Sequence, residues 1–125
     1  MISDYFKEVE QRIKDTEIVA DKSIDFREFS TTDGMLRGRL LFVDGSMLEF
    51  MEYLHEGIRL KYRFHLMDRY GEMVFRYDNA PHHDIATFPH HKHLQSAIVE
   101  SKEKGFLDVL SEVEVLISEG GEPFE

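Results

Sequence analysis

The chain has 125 residues, no cysteine and a formal net charge of −10 at pH 7. This length fits one domain with a modest core, and the lack of cysteine excludes a disulfide framework and a thiolate metal site. No stretch approaches the roughly 20 apolar residues of a membrane span, and the first residues lack the features of a signal peptide. We expect one domain over residues 1–125, located in the cytoplasm and without membrane contact.

The charge is distributed unevenly along the chain. Residues 1–36 hold nine acidic and five basic side chains, and residues 93–125 hold eight acidic and two basic ones. Residues 37–92 hold eight of each sign. The middle of the chain is therefore the part that can meet an anionic substrate, whereas the acidic ends suit a basic partner.

Both ends of the chain carry apolar residues at helical spacing. The first stripe is Ile2, Phe6, Val9 and Ile13, and the second is Phe106, Leu110, Val113 and Ile117. These stripes predict amphipathic helices over residues 1–15 and 106–118.

Between the helices, β-favouring runs alternate with turn pairs such as Asp44-Gly45 and Tyr70-Gly71. This pattern predicts an α+β fold, in which the two helices pack on a curved antiparallel meander of about five strands. The sheet and a histidine-rich loop would occupy residues 18–93. A two-residue loop at Asp44-Gly45 would place Leu41 opposite Leu48. Apolar residues on both faces of this hairpin indicate a sheet covered by the helices or by a second copy of the chain, as in a homodimer.

The next hairpin alternates strictly between apolar and polar residues. The apolar set is Leu60, Tyr62, Phe64 and Leu66, and the polar set is Arg59, Lys61, Arg63 and His65. A four-residue loop over 68–71 would place Leu66 opposite Met73 and Arg63 beside Arg76, whereas a three-residue loop would set apolar against polar residues. The predicted polar face leads directly into the histidine-rich loop.

The segment "FRYDNAPHHDIATFPHHKH", residues 75–93, contains five of the seven histidines. Histidine and aspartate can bind a transition metal, but the spacing matches no known metal motif. The same residue types suit metal-independent cleavage of RNA, which needs proton-transfer groups and cations around the phosphate. An ordinary hydrogen-bonded loop with exposed histidines is the third interpretation.

Candidate roles follow from these residue types. Imidazoles near neutrality suit proton transfer, a carboxylate can orient them, and cations with polar neighbours can hold phosphate. The predicted catalytic residues are His83, His91, His93 and Asp78, with His91 and His93, or His83 and His91, as the proton-transfer pair. The predicted substrate-binding residues are Arg63, Arg76, Lys92, Lys61, His65 and Tyr77. We expect no cofactor and no resident metal.

Three segments resemble the TumE family of toxin-antitoxin proteins in their order and spacing. They are "RGRLLFVDGSMLEFMEYL", "KYRFHLMDRYGEMVFRYDNAPHH" and "TFPHHKH", and together they span about residues 36–93. The resemblance implies a prokaryotic growth-inhibiting toxin held inactive by a helix-turn-helix antitoxin. It supplies no catalytic residues, so the roles above rest on side-chain chemistry.

The combined interpretation is a toxin that acts on RNA as a metal-independent ribonuclease. One alternative is a module that binds protein or nucleic acid without catalysis. The other is a metal-binding hydrolase. Alanine substitution separates the first two, because a catalytic variant loses turnover but keeps binding.

Overall fold

Two helices and a continuous antiparallel sheet make up the computed structural model, which describes residues 1–81 and 87–119. The elements are α1 (Ile2–Asp15), β1 (Val19–Glu28), β2 (Asp33–Phe42), β3 (Met47–His55), β4 (Ile58–Met67), β5 (Met73–Asp78), β6 (His91–His93), β7 (Ile98–Glu100) and α2 (Phe106–Ser118). Each strand pairs with the next along the chain. The predicted α+β meander with terminal helices is confirmed. The predicted count of about five strands is wrong, because the described residues form seven; β6 and β7 have three residues each, too few to show a period.

Both helices pack on the same face of the sheet. The apolar stripe of α1 is buried as predicted, and Phe106, Val109, Leu110 and Val113 of α2 are fully buried. Aromatic contacts join each helix to the sheet. The ring centroids of Phe6 on α1 and Phe26 on β1 are 5.0 Å apart, and those of Phe106 on α2 and Phe50 on β3 are 4.9 Å apart. We call the side of the sheet on which α1 and α2 pack the helix face.

The hairpin between β2 and β3 has a three-residue loop, not the predicted two-residue loop. The Phe42 N–H donates to the Ser46 carbonyl, and Leu40, not Leu41, lies opposite Leu48. Gly45 has a φ of +88°, which suits the left-handed position at the end of such a loop. The Asp44 carboxylate accepts hydrogen bonds from the N–H and the hydroxyl of Ser46. This register places both buried leucines on the helix face.

The hairpin between β4 and β5 also has a three-residue loop, because the Asp68 N–H donates to the Glu72 carbonyl. The predicted four-residue loop is therefore wrong. A β-bulge then restores the apolar faces, since Met67 lies opposite Met73 but Leu66 lies opposite Phe75. The predicted pairing of Arg63 with Arg76 is also wrong, because Arg63 lies opposite Asp78.

A second β-bulge interrupts the strict alternation predicted for β4. Tyr53 pairs with Lys61, whereas the adjacent Leu54 pairs with Arg59. Leu60 is consequently half exposed, and Arg59 turns toward the helix face instead of joining the polar face. The sequence pattern misses this because one inserted residue reverses the side-chain direction beyond it.

Arg59 turns inward to meet Glu52, a fully buried carboxylate in the middle of β3. Glu52 accepts hydrogen bonds from the Tyr5 hydroxyl at 2.5 Å, from Arg59 Nε at 2.5 Å and from the Phe106 N–H at 3.2 Å. The Gly105 position lies against the Arg59 guanidinium, leaving no room for a Cβ. One carboxylate thus connects α1, β3, β4 and the first turn of α2.

The opposite side of β1 to β5 is not covered by either helix, and we call it the open face. Residues paired across neighbouring strands share a face, so the register assigns to it Ser23, Asp25, Arg27, Met35, Arg37, Arg39, Leu41, Met47, Glu49, Met51, Tyr53, Lys61, Arg63, His65, Met67, Met73, Arg76 and Asp78. Of the two covers expected from the sequence, the helices of this chain account for one face only, and a second copy of the chain over the other face stays a prediction. Among the described residues, neither helix is long and apolar enough to span a membrane.

Replacement of Glu52 by alanine is expected to lower the free energy of unfolding by about 3–5 kcal/mol, since it leaves the partly buried Arg59 and Tyr5 without their acceptor. Urea denaturation followed by circular dichroism measures this. Glu103→Ala is the matched control: Glu103 Oε2 lies 2.8 Å from Arg59 Nη1, but this carboxylate is exposed, so we expect a loss below about 1 kcal/mol. Glu52→Gln, which keeps the side-chain volume, should give an intermediate loss. Equal stability of the Glu52→Ala and Glu103→Ala variants would contradict this account.

Candidate functional site

The site predicted from the histidine-rich segment lies where β5 pairs with β6. Asp78 lies opposite His91, and Arg76 lies opposite His93. Because paired residues share a face, all four side chains lie on the same side of these strands as the open face. We call these four residues the Asp78 cluster.

Asp78 lies at the centre of this cluster. Its Oδ1 atom is 2.6 Å from His91 Nε2, and its Oδ2 atom is 3.2 Å from Arg76 Nε and 3.5 Å from His93 Nε2. The carboxylate is 6% exposed, so a carboxylate charge here depends on these neighbours. Asp78 thus contacts two histidines and one arginine, and its predicted role in orienting them stays a prediction.

The hydrogen bonds of His91 fix the orientation of its ring. Its Nδ1 atom lies 2.9 Å from the Pro89 carbonyl, and because a carbonyl only accepts, Nδ1 carries a proton. Nε2 then faces Asp78 Oδ1 at 2.6 Å, which is within hydrogen-bonding distance. His91 is only 1% exposed, so it reaches a substrate through its neighbours and not directly.

His93 is in a different situation. Arg76 Nη2 lies 3.2 Å from His93 Nε2, and since arginine is only a donor, this nitrogen presents its lone pair. The His91 and His93 rings are 4.8 Å apart, edge to face. The His93 side chain is 13% exposed and that of Arg76 is 33% exposed. The cluster therefore has a buried half, His91 with Asp78, and an accessible half, His93 with Arg76.

Three predicted substrate-binding residues lie on the open face beside the cluster. Arg63 lies opposite Asp78, His65 lies opposite Arg76, and Lys61 follows on the same face of β4. Burial and the charge of Arg76 lower the pKa of His65, which keeps this imidazole neutral at pH 7. Arg63 and Lys61 are exposed and can meet an anion.

Lys92 and Tyr77 do not join the cluster, although the sequence placed them in the substrate site. Both lie on the helix face, where Lys92 Nζ is 4.8 Å from the Tyr77 ring centroid and 3.3 Å from Glu112 Oε2. The Tyr77 hydroxyl donates to the same Glu112 carboxylate, and burial raises the pKa of Tyr77. The physical reason is the strand period of two, which turns residues 77 and 92 away from residues 76, 78, 91 and 93.

The remaining histidines of the segment divide into two groups. His90 Nδ1 lies 2.9 Å from the Tyr62 hydroxyl and not in the cluster; Tyr62 is buried, and burial raises its pKa to about 12. His82 and the predicted catalytic residue His83 lie outside the described residues. Asn79 was not among the predicted site residues, yet its side chain accepts from the Tyr62 N–H and donates to the Leu60 carbonyl, which fixes the end of β5 against β4.

Asp78, His91 and His93 also meet the minimum requirement for a metal site, since one donor atom from each lies within 4.8 Å of the others. Donors around a tetrahedral zinc ion are about 3.4 Å apart, given metal-donor distances near 2.1 Å. The distance of 3.5 Å between Asp78 Oδ2 and His93 Nε2 fits this spacing. The distance of 2.6 Å between Asp78 Oδ1 and His91 Nε2 is too short for two zinc donors and fits a hydrogen bond better.

Replacement of Asp78 by alanine is expected to lower the free energy of unfolding by about 3 kcal/mol, because it removes the carboxylate that faces buried His91 and partly buried Arg76. Thermal denaturation measures the loss. Asp25→Ala is the control, since Asp25 pairs with Arg27 in a half-exposed ion pair and should cost less than about 1 kcal/mol. If both variants melt with the wild-type protein, Asp78 does not hold the cluster together.

Comparison with protein-family models gives one identification. The model described as toxin TumE matches residues 9–119. This range includes the second half of α1, the whole sheet with the Asp78 cluster, and all of α2. No curated protein and no solved structure matches the chain. The match covers most of the chain and agrees with the resemblance found in the sequence, and the chain therefore belongs to the TumE toxin family.

Proposed function

We propose that this TumE-family toxin inhibits growth in the cytoplasm of a prokaryote by cleaving RNA without a metal ion, and that a helix-turn-helix antitoxin neutralises it. The observation that supports the chemistry is the arrangement of Arg76 and His93. Arg76 Nη2 donates to His93 Nε2, so an imidazole nitrogen and a guanidinium lie side by side at the accessible half of the Asp78 cluster. A base and a cation side by side are what attack on a phosphodiester requires.

In this proposal Arg76 transfers its hydrogen bond from His93 Nε2 to a phosphate oxygen, and His93 Nε2 then accepts the proton of an RNA 2′-hydroxyl. The 2′-oxygen then bonds to the adjacent phosphorus, the bond from phosphorus to the 5′-oxygen breaks, and the leaving oxygen takes a proton from solvent. The products are a 2′,3′-cyclic phosphate and a 5′-hydroxyl. Arg76 and Arg63 bind the phosphate oxygens on which negative charge increases.

His91 and Asp78 are positioning residues in this mechanism. His91 is buried, and its proton at Nδ1 is bound by the Pro89 carbonyl. Asp78 contacts His91, His93 and Arg76, so it sets the distance between the base and the cation. The sequence suggested His91 and His93, or His83 and His91, as the proton-transfer pair. The greater exposure of His93 supports giving it the direct role.

Metal-dependent hydrolysis is the second candidate function, because the donor atoms of Asp78, His91 and His93 lie close together. It predicts metal in stoichiometric amount after purification and activity that a chelator removes. The metal-independent proposal predicts cleavage that persists in excess EDTA. These opposite results distinguish the two chemistries with wild-type protein alone.

Replacement of His93 by alanine is expected to reduce the rate of RNA cleavage by at least about 10²-fold, since general base catalysis contributes about 10²–10⁴-fold. The assay uses purified protein and a short fluorogenic oligoribonucleotide, with circular dichroism to confirm folding. His55→Ala is the matched control, because His55 Nδ1 lies 2.9 Å from Asp33 Oδ2, on the next strand, and does not touch the cluster. In cells, induced wild-type protein should arrest growth, and the His93→Ala variant should not.

Two results would contradict the ribonuclease proposal. One is cleavage by His93→Ala at the wild-type rate. The other is growth arrest by wild-type protein that cleaves no RNA but binds a target that the variants release, which would support the non-catalytic binding module.

A further inference from the structure

The open face carries four exposed cations that form no ion pair among the described residues. Arg37 and Arg39 lie on β2, and Lys61 and Arg63 lie on β4. Among the described residues, none of the four has a carboxylate oxygen within 4.0 Å of its charged nitrogens. Arg27 differs, since its Nε atom lies 2.8 Å from Asp25 Oδ2. In a chain with a net charge of −10, these cations on one face indicate a site for a polyanion.

We propose that the open face binds single-stranded RNA along a track from the Asp78 cluster on β5 and β6, across β4 and β3, to Arg37 and Arg39 on β2. This inference rests on the proposed function and assigns it a substrate form and a binding surface. It adds to the site two arginines, on β2, that the sequence did not indicate.

Two neighbouring concavities make the track continuous. One, of about 550 Å³, is lined by residues that include Arg37, Arg39 and Arg63, with the carboxylates Asp25 and Glu49 opposite the first two and Met51 between the strands. The other, of about 380 Å³, is lined by Met51, Lys61, Arg63, Arg76 and Asp78, among others. They share Met51 and Arg63, so the groove over β2 leads into the groove beside the cluster. Four strand spacings separate β2 from β6, which gives a track of about 19 Å.

The apolar side chains of the open face suit unpaired bases. Five of the six methionines point to this face, namely Met35, Met47, Met51, Met67 and Met73, and each is half-buried. Tyr53 lies on the same face, with its ring centroid 6.0 Å from that of Phe29, which is 56% exposed. Thioether and aromatic groups beside arginines provide both base contacts and phosphate contacts, the combination typical of single-strand binding.

The arrangement favours a single strand over a duplex and over an acidic protein. A duplex hides the base surfaces that methionine and Tyr53 would contact, and A-form RNA exposes mainly its backbone and minor groove. An acidic protein would satisfy the arginines, but nothing would require its surface to lead into the Asp78 cluster. Continuity of the groove with the cluster is what identifies the occupant as the substrate of the proposed reaction.

The test measures binding separately from cleavage. The probe is a fluorescent 12-nucleotide oligouridine with 2′-O-methyl groups, which cannot undergo attack by the 2′-oxygen, and fluorescence anisotropy gives its Kd. The variant is Arg37→Gln with Arg39→Gln. The matched control is Lys7→Gln with Lys14→Gln, which removes the same charge from exposed positions of α1, an element packed on the helix face.

The salt dependence gives a quantitative expectation. If four cations contact phosphates, raising the salt from about 50 to about 200 mM should weaken wild-type binding about 50-fold. With Arg37 and Arg39 replaced, the same change should weaken binding only about 7-fold, and the Kd at low salt should be at least about 10-fold higher than in the wild type. The Lys7 and Lys14 control should match the wild type, and a hairpin duplex should compete poorly.

Each other outcome overturns the proposal. The proposed RNA-binding track is contradicted if the wild type does not bind the probe, or if the Arg37 and Arg39 variant binds it as tightly as the wild type does. Sedimentation that shows a wild-type dimer dissociated by this variant, with RNA binding unchanged, assigns the open face to a second copy of the chain. Failure of the proposed function is a separate result. If wild-type protein binds the methylated probe but does not cleave unmodified RNA, the RNA-binding track is supported and the ribonuclease proposal is contradicted.

Discussion

The structure depends on one buried carboxylate. Glu52 has no exposed surface, and it accepts from Tyr5 of α1, from Arg59 of β4 and from the first N–H of α2. Burial raises the pKa of Glu52, while the Arg59 guanidinium and the two other donors act in the opposite direction. A charge in this position is tolerated only with all of its partners present, so it selects the one arrangement that provides them.

The consequence of this arrangement is an asymmetric sheet. With both helices bound to the same face, the other face of the sheet is left without a helix over it. Arg12 of α1 and Glu114 of α2 form a further ion pair between the helices, which reinforces their placement side by side. Every feature proposed for function lies on the side away from the helices, and every large apolar ring of the core lies on the helix face. The core and the candidate site therefore use alternate residues of the same strands.

The Asp78 cluster shows how a short strand can build a site. Strand β6 has three residues, and its pairing with β5 brings His91 and His93 to Asp78 and Arg76, at the edge of the groove that Arg63 lines. The membership of the chain in the TumE toxin family identifies the class of protein. Burial divides the cluster into a buried pair, Asp78 with His91, and a more exposed pair, Arg76 with His93.

The sequence by itself determined the two helices, the antiparallel meander, the alternation of β5 and the family. These features depend on local periodicity and on turn residues, which neighbouring positions specify. It also determined that residues 76 and 78 share a face and that residues 91 and 93 share a face, because side-chain direction follows from the strand period alone. That both pairs lie on the same face depends on the pairing of β5 with β6. It was wrong about loop lengths and cross-strand partners, and it placed Lys92 and Tyr77 in the substrate site.

Only the tertiary structure decided those points, because β-bulges at β4 and β5 change the register by one residue and leave no mark in the hydrophobic pattern. The bulge at β4 sends Arg59 to Glu52 in the core. At β5 the bulge adds to the shorter loop, and the total shift of two residues replaces the expected pair of arginines by Arg63 with Asp78. Burial of His91, and the alignment of Arg37 and Arg39 with Arg63 across the open face, likewise depend on which strands are neighbours. Contacts between residues distant in the chain are fixed by packing, and packing is a property of the whole fold.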